Sequence, residues 1–255
     1  MIFIFGGKGF VGSAFVRYCE KNNIEYEIIH RNNYNEFKEK NCDVFINAAG
    51  NSNKNLSNQN PQFDFQSNVS EVLTSFTDFK FKKYVLLSSC EVYPDYSNLK
   101  FTTEKTFIEV KNQSVYGFHK YLGELCAQKN LNDWLIFRLG GMVGEGLKKN
   151  PIFDILHGGP LFVDPNSKFQ FILTDDVAKI VFQVIKKNIK NELYNLCGDG
   201  GITLRDIIKN TDEVIVKPNS PLLQYNVNIE KIKKISNILS SKLTIQNFIH
   251  QNSFD

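Results

Sequence analysis

The sequence predicts an α/β fold, a doubly wound parallel sheet with helices on both faces and a small C-terminal lobe. Three observations lead there. The chain opens on four apolar residues, Ile2-Phe3-Ile4-Phe5, which end abruptly in Gly6-Gly7-Lys8-Gly9-Phe10-Val11-Gly12. A buried parallel strand entering a tight turn has that signature. Short apolar runs then alternate with stretches of helical spacing as far as Gly141, and such alternation calls for right-handed crossovers between parallel strands. Beyond Gly141 the pattern loosens. Residues 1–140 are therefore expected to carry the sheet, with returning elements at about 169–197, and residues 141–255 to form the smaller, substrate-facing lobe.

From Phe10 to Cys19 the apolar residues Phe10, Val11, Ala14, Phe15 and Tyr18 fall at helical spacing, so a helix follows the turn directly. Strand, glycine turn and helix N-terminus together make a phosphate site. Backbone N–H groups converge there, the helix dipole favours negative charge, and glycine lets a pyrophosphate approach the main chain. The spacing G-x-x-G-x-x-G at Gly6, Gly9 and Gly12 differs from the commoner G-x-G-x-x-G. In its strand–turn–helix context it still points to a Rossmann-type dinucleotide site. Residues 25–30 predict a second strand that ends at Arg31. An acid at that end would accept from an adenosine 2′-hydroxyl, whereas an Arg suits a 2′-phosphate. Lys8 can reach the same place, so the two cations favour NADP(H), with NAD as the alternative.

Residues 33–40 predict a short amphipathic helix, and residues 43–50 a buried strand whose small end, Ala48-Ala49-Gly50, would lie close to a cofactor. Residues 51–61, dominated by Asn, Ser and Gln, read as a loop. A helix over 63–79 with Asn68 at its middle, a strand over 83–89, a helix over 116–130 and a strand over 134–139 follow. Residues 144–165, rich in Gly, Pro and Lys, read as a substrate-facing segment. A strand over 169–173, an N-cap at Thr174, a helix to about Lys187 and a strand over 193–196 complete the expected elements, with small mixed pieces from Ile202 onward.

Composition excludes several classes. Hydrophobic residues make up 42% of the chain, enough for a real core. The formal net charge of +3, without a dense Lys/Arg run, gives nucleic acid no footprint. Cys19, Cys42, Cys90, Cys126 and Cys197 are scattered, with no C-x-x-C pair, which argues against a metal site and for a reducing cytosol. The apolar start is too short for a signal peptide, and no stretch approaches about 18 apolar residues, so no membrane span is expected. A cytoplasmic protein is the expectation.

Ser89, Tyr116 and Lys120 are the residues that carry chemistry. Hydride transfer at a carbinol carbon needs a proton donor or acceptor on its oxygen. A phenol, unperturbed near pKa ~10, serves poorly at neutral pH unless a neighbouring cation lowers it. Tyr116 and Lys120 stand one helical turn apart and point the same way. Ser89, ending the intervening strand, can orient the same oxygen.

With these residues in place, the chain resembles the extended short-chain dehydrogenases/reductases, in their nucleotide-sugar epimerase/dehydratase group. The matching stretches are the turn Gly6 to Gly12, Asn47-Ala48-Ala49-Gly50, Asn68-Val69, Ser88-Ser89-Cys90-Glu91-Val92-Tyr93, Tyr116-Gly117-Phe118-His119-Lys120, Arg138-Leu139-Gly140-Gly141 and Phe171 to Ala178. The resemblance covers about residues 1–200. It implies catalytic roles for Ser89, Tyr116 and Lys120, cofactor contacts from Gly6, Lys8, Gly9, Phe10, Val11, Gly12, Arg31, Ala48, Ala49, Gly50, Tyr116, Lys120 and Leu139, and a nucleotide-sugar substrate. It leaves room for a homodimer. Lys8 with Arg31 is similar to the GDP-fucose synthase-like NADP-dependent reductases, although one extra residue separates Cys90 from Tyr93. Glu91 stands where dehydratases and decarboxylases of the group carry an acid/base Glu, though dehydratases precede it with Asp and this chain has Cys90. Gly141 occupies the place of an Asn near the nucleotide phosphates in many relatives, and the segment between Arg31 and Asp43 is too short for the usual extra strand. His119 faces another side of its helix and is expected to be structural. The leading expectation is an NADP-dependent reductase of a 4-keto nucleotide sugar. An epimerase or dehydratase that retains its cofactor comes next, and a non-catalytic nucleotide sensor last.

Overall fold

The computed structural model describes residues 1–208 and 214–252. Strand β1 (Ile2–Phe5) leads through the glycine turn into α1 (Gly12–Lys21), and β2 (Tyr26–Ile29), α2 (Tyr34–Phe37) and β3 (Asn41–Asn47) follow. Helices α3 (Lys54–Gln59) and α4 (Pro61–Phe65), a π-turn at Gln66–Ser70 and α5 (Glu71–Asp78) lead to β4 (Lys80–Ser89). Helix α6 (Val115–Asn130) crosses back to β5 (Trp134–Leu139). Then come β6 (Gly141–Val143), α7 (Pro151–Leu156), β7 (Lys168–Phe169), β8 (Phe171–Leu173), α8 (Thr174–Lys186) and β9 (Glu192–Leu196). Short pieces complete the described chain: β10 (Ile202–Thr203), α9 (Leu204–Ile208), α10 (Glu230–Lys233) and α11 (Ser241–Asn252).

The main sheet runs β2-β1-β3-β4-β5-β9 with every neighbouring pair parallel. The chain winds outward from β1 in both directions, so a crevice opens at the carboxyl ends of β1 and β3, the topological switch point. Alternation along the strands divides the core in two. Ile2, Ile4, Val44, Ile46, Val85 and Leu87 face the layer that holds Phe15 of α1 and Val181 of α8. Phe3, Phe5, Phe45 and Leu86 face the opposite layer, with Phe37, Val72 and Phe79. A third, smaller core joins Val143, Ile152, Ile155, Phe171, Leu204 and Ile245 beyond the sheet.

Four sequence expectations are corrected. Residues 51–61 are not a plain loop but carry α3, because Asn53 caps that helix, its side chain accepting from the N–H groups of Asn55 and Leu56. Asn60 caps α4 in the same way, ahead of Pro61 at the first helical position. The expected strand over 169–173 is broken at Gln170. Its buried side chain bonds the backbone of Gly198 and Val227, so β7 pairs with β10 while β8 pairs with β6. Thr174 is the first residue of α8 rather than its N-cap, which is Leu173, and the Thr174 hydroxyl caps nothing. The helix expected over 63–79 is interrupted by the π-turn that holds Asn68. No described helix is long and apolar enough to cross a membrane. All five cysteines are free thiols, and no cluster of His, Cys, Asp or Glu among the described residues is arranged for a metal ion.

Candidate active site

A cleft of about 630 Å³ opens at the switch point. One wall is the glycine turn. Gly6 has φ +84°, and a Cβ on Gly12 would meet the Gly6 carbonyl oxygen at 2.1 Å, so the turn closes this tightly only with glycine at those positions. Gly9, Phe10 and Val11 face the cleft. The N-cap of α1, Val11, has no capping side chain, and the first turn holds no acidic residue. Ser13 and Ala14 N–H donate to the Gly9 and Val11 carbonyls at 2.9 and 3.1 Å, but no side chain caps this N-terminus against an anion, which fits a dinucleotide pyrophosphate there. Lys8 and Arg31 are both exposed and lie outside the cleft lining, and neither His30 nor Arg31 at the end of β2 is acidic.

The second wall follows β3. Ala48, Ala49 and Gly50 line the cleft just past the strand, not within it. The run is anchored by Ala48 donating to the Phe5 carbonyl at 2.9 Å and by the Asn47 side chain, which accepts from Ala49 N–H at 3.0 Å and donates to the buried Tyr84 hydroxyl at 2.8 Å.

The floor comes from α6, β4 and β5. Ser114 caps α6 through Gly117 N–H at 3.0 Å. A Cβ on Gly117 would meet the Glu91 carbonyl at 2.0 Å, so glycine lets the helix lie directly on the short 3₁₀ turn Cys90–Val92. Tyr116 and Lys120 are both buried on one face of α6 and both line the cleft, with Ser89 and Leu139 alongside. Burial pushes the Tyr116 phenol well above its ordinary value, and a hydrogen bond from Ser89 draws it back. Burial pushes the Lys120 ammonium down, to about 8, against the pull of Asp64 and Glu124. That ammonium donates to the Leu87 carbonyl at 3.2 Å. At neutral pH the phenol therefore keeps its proton and the lysine its charge.

One turn beyond Lys120, Glu124 is fully buried. Its carboxylate is gripped by Arg138 through contacts of 3.0, 3.2 and 2.7 Å and accepts from the Ser88 hydroxyl at 2.5 Å. The Arg138 guanidinium also lies over the Tyr93 ring, 4.8 Å from its centroid. This ion pair ties the ends of β4 and β5 to α6 beneath the cleft.

Glu91 enters the cleft from the 3₁₀ turn. Its Oε1 accepts from the Tyr225 hydroxyl at 2.8 Å and from the Lys54 ammonium at 2.5 Å. His119, expected from sequence to be structural, is buried and lies outside the cleft lining. Its Nδ1 lies 2.7 Å from Oδ2 of fully buried Asp64.

Residues 2–197 match the profile of the NAD dependent epimerase/dehydratase family. The chain belongs to that family. Among curated proteins no sequence match is found. Solved structures of similar shape include MoeE5 in complex with UDP-glucose and NAD, at TM-score 0.83 and 14% identity over 100% of this chain and 99% of that one. RMD from Pseudomonas aeruginosa complexed with NADPH is similar at TM-score 0.80 and 15% identity, over 98% and 99% of the two chains. UDP-glucuronic acid 4-epimerase from Bacillus cereus, in complex with UDP-glucuronic acid and NAD, is similar at 0.79 and 18%, over the same shares.

The fold thus gathers Gly9, Phe10, Val11, Ala48, Ala49, Gly50, Ser89, Glu91, Tyr116, Lys120 and Leu139 around one cleft, with Gly6 and Gly12 shaping the turn behind it. Sequence reasoning missed Lys54 and Tyr225, which hold Glu91, Lys149, which lines the cleft, and Asp64, which meets His119. Only Asp64 left a local trace, as the single acid one helical turn before Asn68.

Proposed function

We propose that this family member is an NADP(H)-dependent oxidoreductase that reduces a 4-keto sugar carried on a nucleotide. The observation that supports it most is the convergence of Ser89, Tyr116 and Lys120 on one cleft beside an uncapped helix N-terminus. Gly9, Phe10 and Val11 would hold the cofactor's pyrophosphate, Ala48 to Gly50 its adenosine side, and Lys120 its nicotinamide ribose. When bound, that cofactor supplies the hydride. Tyr116, which keeps its proton at neutral pH, gives it to the sugar oxygen, while the Ser89 hydroxyl orients that oxygen and the Lys120 charge offsets the phenolate left behind. Residues beyond Gly141, apart from the elements at about 169–197 that return to the main sheet, are assigned to the substrate lobe, which has a small core of its own. The similar structures that carry UDP-sugars lend support to the substrate class.

The test is incubation with NADPH or NADH and a panel of UDP- and GDP-linked 4-keto sugars, followed by absorbance of the cofactor and mass of the product. Reduced sugar formed at the expense of NADPH is the expected result. Sugar interconverted with no net consumption of cofactor would overturn it in favour of an epimerase.

NADP(H) preference rests on Lys8 and Arg31, with no acid at the end of β2. Arg31→Ala is expected to weaken NADPH binding by roughly 1–3 kcal/mol and leave NADH nearly unchanged. Fluorescence titration with both cofactors checks this, and equal weakening of the two would refute the assignment.

Glu91 favours a second reading, an epimerase or dehydratase with retained cofactor, since its carboxylate stands in the same cleft as Tyr116. Glu91→Gln separates the two. A simple ketone reductase should keep turnover within about threefold, whereas an enzyme that uses Glu91 as acid/base should lose on the order of 10²-fold or more.

A further inference from the structure

Among the described residues Glu91 is the one acid that lines the cleft, and its two carboxylate oxygens are used unevenly. Both donors that reach it converge on Oε1, the Lys54 ammonium at 2.5 Å and the Tyr225 hydroxyl at 2.8 Å. The ammonium also donates to the Tyr225 oxygen at 3.1 Å, which closes a triangle of groups from α3, the 3₁₀ turn after β4 and the C-terminal segment. No donor among the described residues meets Oε2, and that oxygen is not buried. Each corner is fixed from behind. Lys54 opens α3 next to the Asn53 cap, and the Glu91 N–H donates to the Ser89 hydroxyl at 3.2 Å. The Tyr225 ring stacks on Phe169 at 5.2 Å and tilts against Tyr96 at 4.6 Å, while its N–H donates to the Lys168 carbonyl at 2.9 Å. Burial, with Glu91 beside it, pushes the Tyr225 phenol up, so it keeps its proton and donates.

We propose that Lys54 and Tyr225 are positioning residues that hold one oxygen of Glu91 and leave the other to the sugar, so that the cleft selects a neutral sugar whose hydroxyl donates to Glu91 over a sugar acid. The proposal rests on the nucleotide-sugar reading given above. A hydroxyl that donates to a carboxylate makes one of the stronger hydrogen bonds available to a sugar. The carboxylate of a sugar acid would instead meet a like charge, and such juxtaposition is how a site rejects a close analogue. Lys54 could have answered that acid, but its charge is spent on Glu91. The other lysines of the lining do not take over this task. Lys149 donates to the Ser52 hydroxyl at 3.3 Å and Lys120 to the Leu87 carbonyl at 3.2 Å, so neither meets Glu91.

The experiment is isothermal titration without cofactor, so that nothing turns over. The probes are UDP, UDP-glucose and UDP-glucuronate, with GDP and GDP-mannose as a second pair. Wild type should bind the neutral nucleotide sugar about tenfold more tightly than the bare nucleotide, and more tightly than the glucuronate. In Glu91→Gln, Lys54 and Tyr225 claim the amide oxygen and the amide NH₂ turns to the cleft. The neutral sugar should then lose about tenfold, and the glucuronate should gain. Lys54→Met should cost the neutral sugar about threefold or more, and Lys54→Arg should restore it. Lys54→Met/Glu91→Gln should lose no more than Glu91→Gln alone, because Lys54 acts through Glu91. Affinity for the bare nucleotide should stay at the wild-type value throughout. Losses that multiply in the double variant would overturn the proposal, as would an unchanged preference between neutral and acidic sugar in Glu91→Gln. Equal wild-type affinity for nucleotide and nucleotide sugar would overturn it too, and each of these results leaves the nucleotide-sugar reading standing. Wild type that binds none of the probes would overturn both. Where Lys54→Met fails to fold by circular dichroism, Tyr225→Phe, which removes one hydroxyl and keeps the stacked ring, takes its place with the same pattern expected.

Discussion

Tyr116→Phe is expected to cut turnover by about 10²-fold or more while leaving the fold and NADPH affinity in place. The substitution removes one hydroxyl from a buried ring whose packing against the floor of the cleft is otherwise kept. Because burial raises the phenol, wild-type Tyr116 is protonated throughout the neutral range and can act as a donor. The variant leaves the sugar oxygen with Ser89 alone, whose aliphatic hydroxyl can orient charge but is a far weaker acid than a phenol. The loss should therefore fall on kcat rather than on KM. Steady-state kinetics with the best substrate of the panel, together with circular dichroism and NADPH titration, checks it. Turnover at the wild-type rate would show that the proton comes from elsewhere, with Glu91 or Tyr225 the next groups to test.

Glu124→Leu should have the largest effect on stability, about 3–5 kcal/mol, because it strands the buried Arg138 guanidinium. Arg138 is buried beneath the cleft, and its Nη1 already lacks a protein partner. Without Glu124 its remaining partner is the face of Tyr93, which is no substitute for a bidentate carboxylate. The Ser88 hydroxyl loses its acceptor in the same step. Urea unfolding of the variant should show a lower midpoint at an unchanged slope. The double variant Glu124→Leu/Arg138→Met removes both charges and should recover most of the loss, since apolar residues of similar volume replace a buried pair at little cost. If the single variant is as stable as wild type, the pair contributes nothing to holding β4 and β5 against α6.

How much of this was legible in the sequence follows from how far apart the interacting residues lie. The strand–turn–helix at Gly6 to Gly12, the Tyr116–Lys120 pair and the alternation that builds a parallel sheet are patterns within one or two elements, where backbone geometry alone places the side chains. Even so, boundaries moved where side chains took over backbone bonding. Asn53 and Asn60 made helices of an expected loop, and Gln170 split an expected strand. The environment of the site lay outside local patterning altogether. Asp64 meets His119 across 55 residues, and Lys54 meets Tyr225 across 171. Such contacts depend on how α3, α4 and the C-terminal segment pack around the cleft. Burial, which sets the charge of Tyr116 and Lys120, exists only once the chain has closed over them. The residues proposed to do the chemistry could be named from their types and spacing. Their protonation states could not, because desolvation and the field of distant carboxylates are properties of the packed tertiary structure.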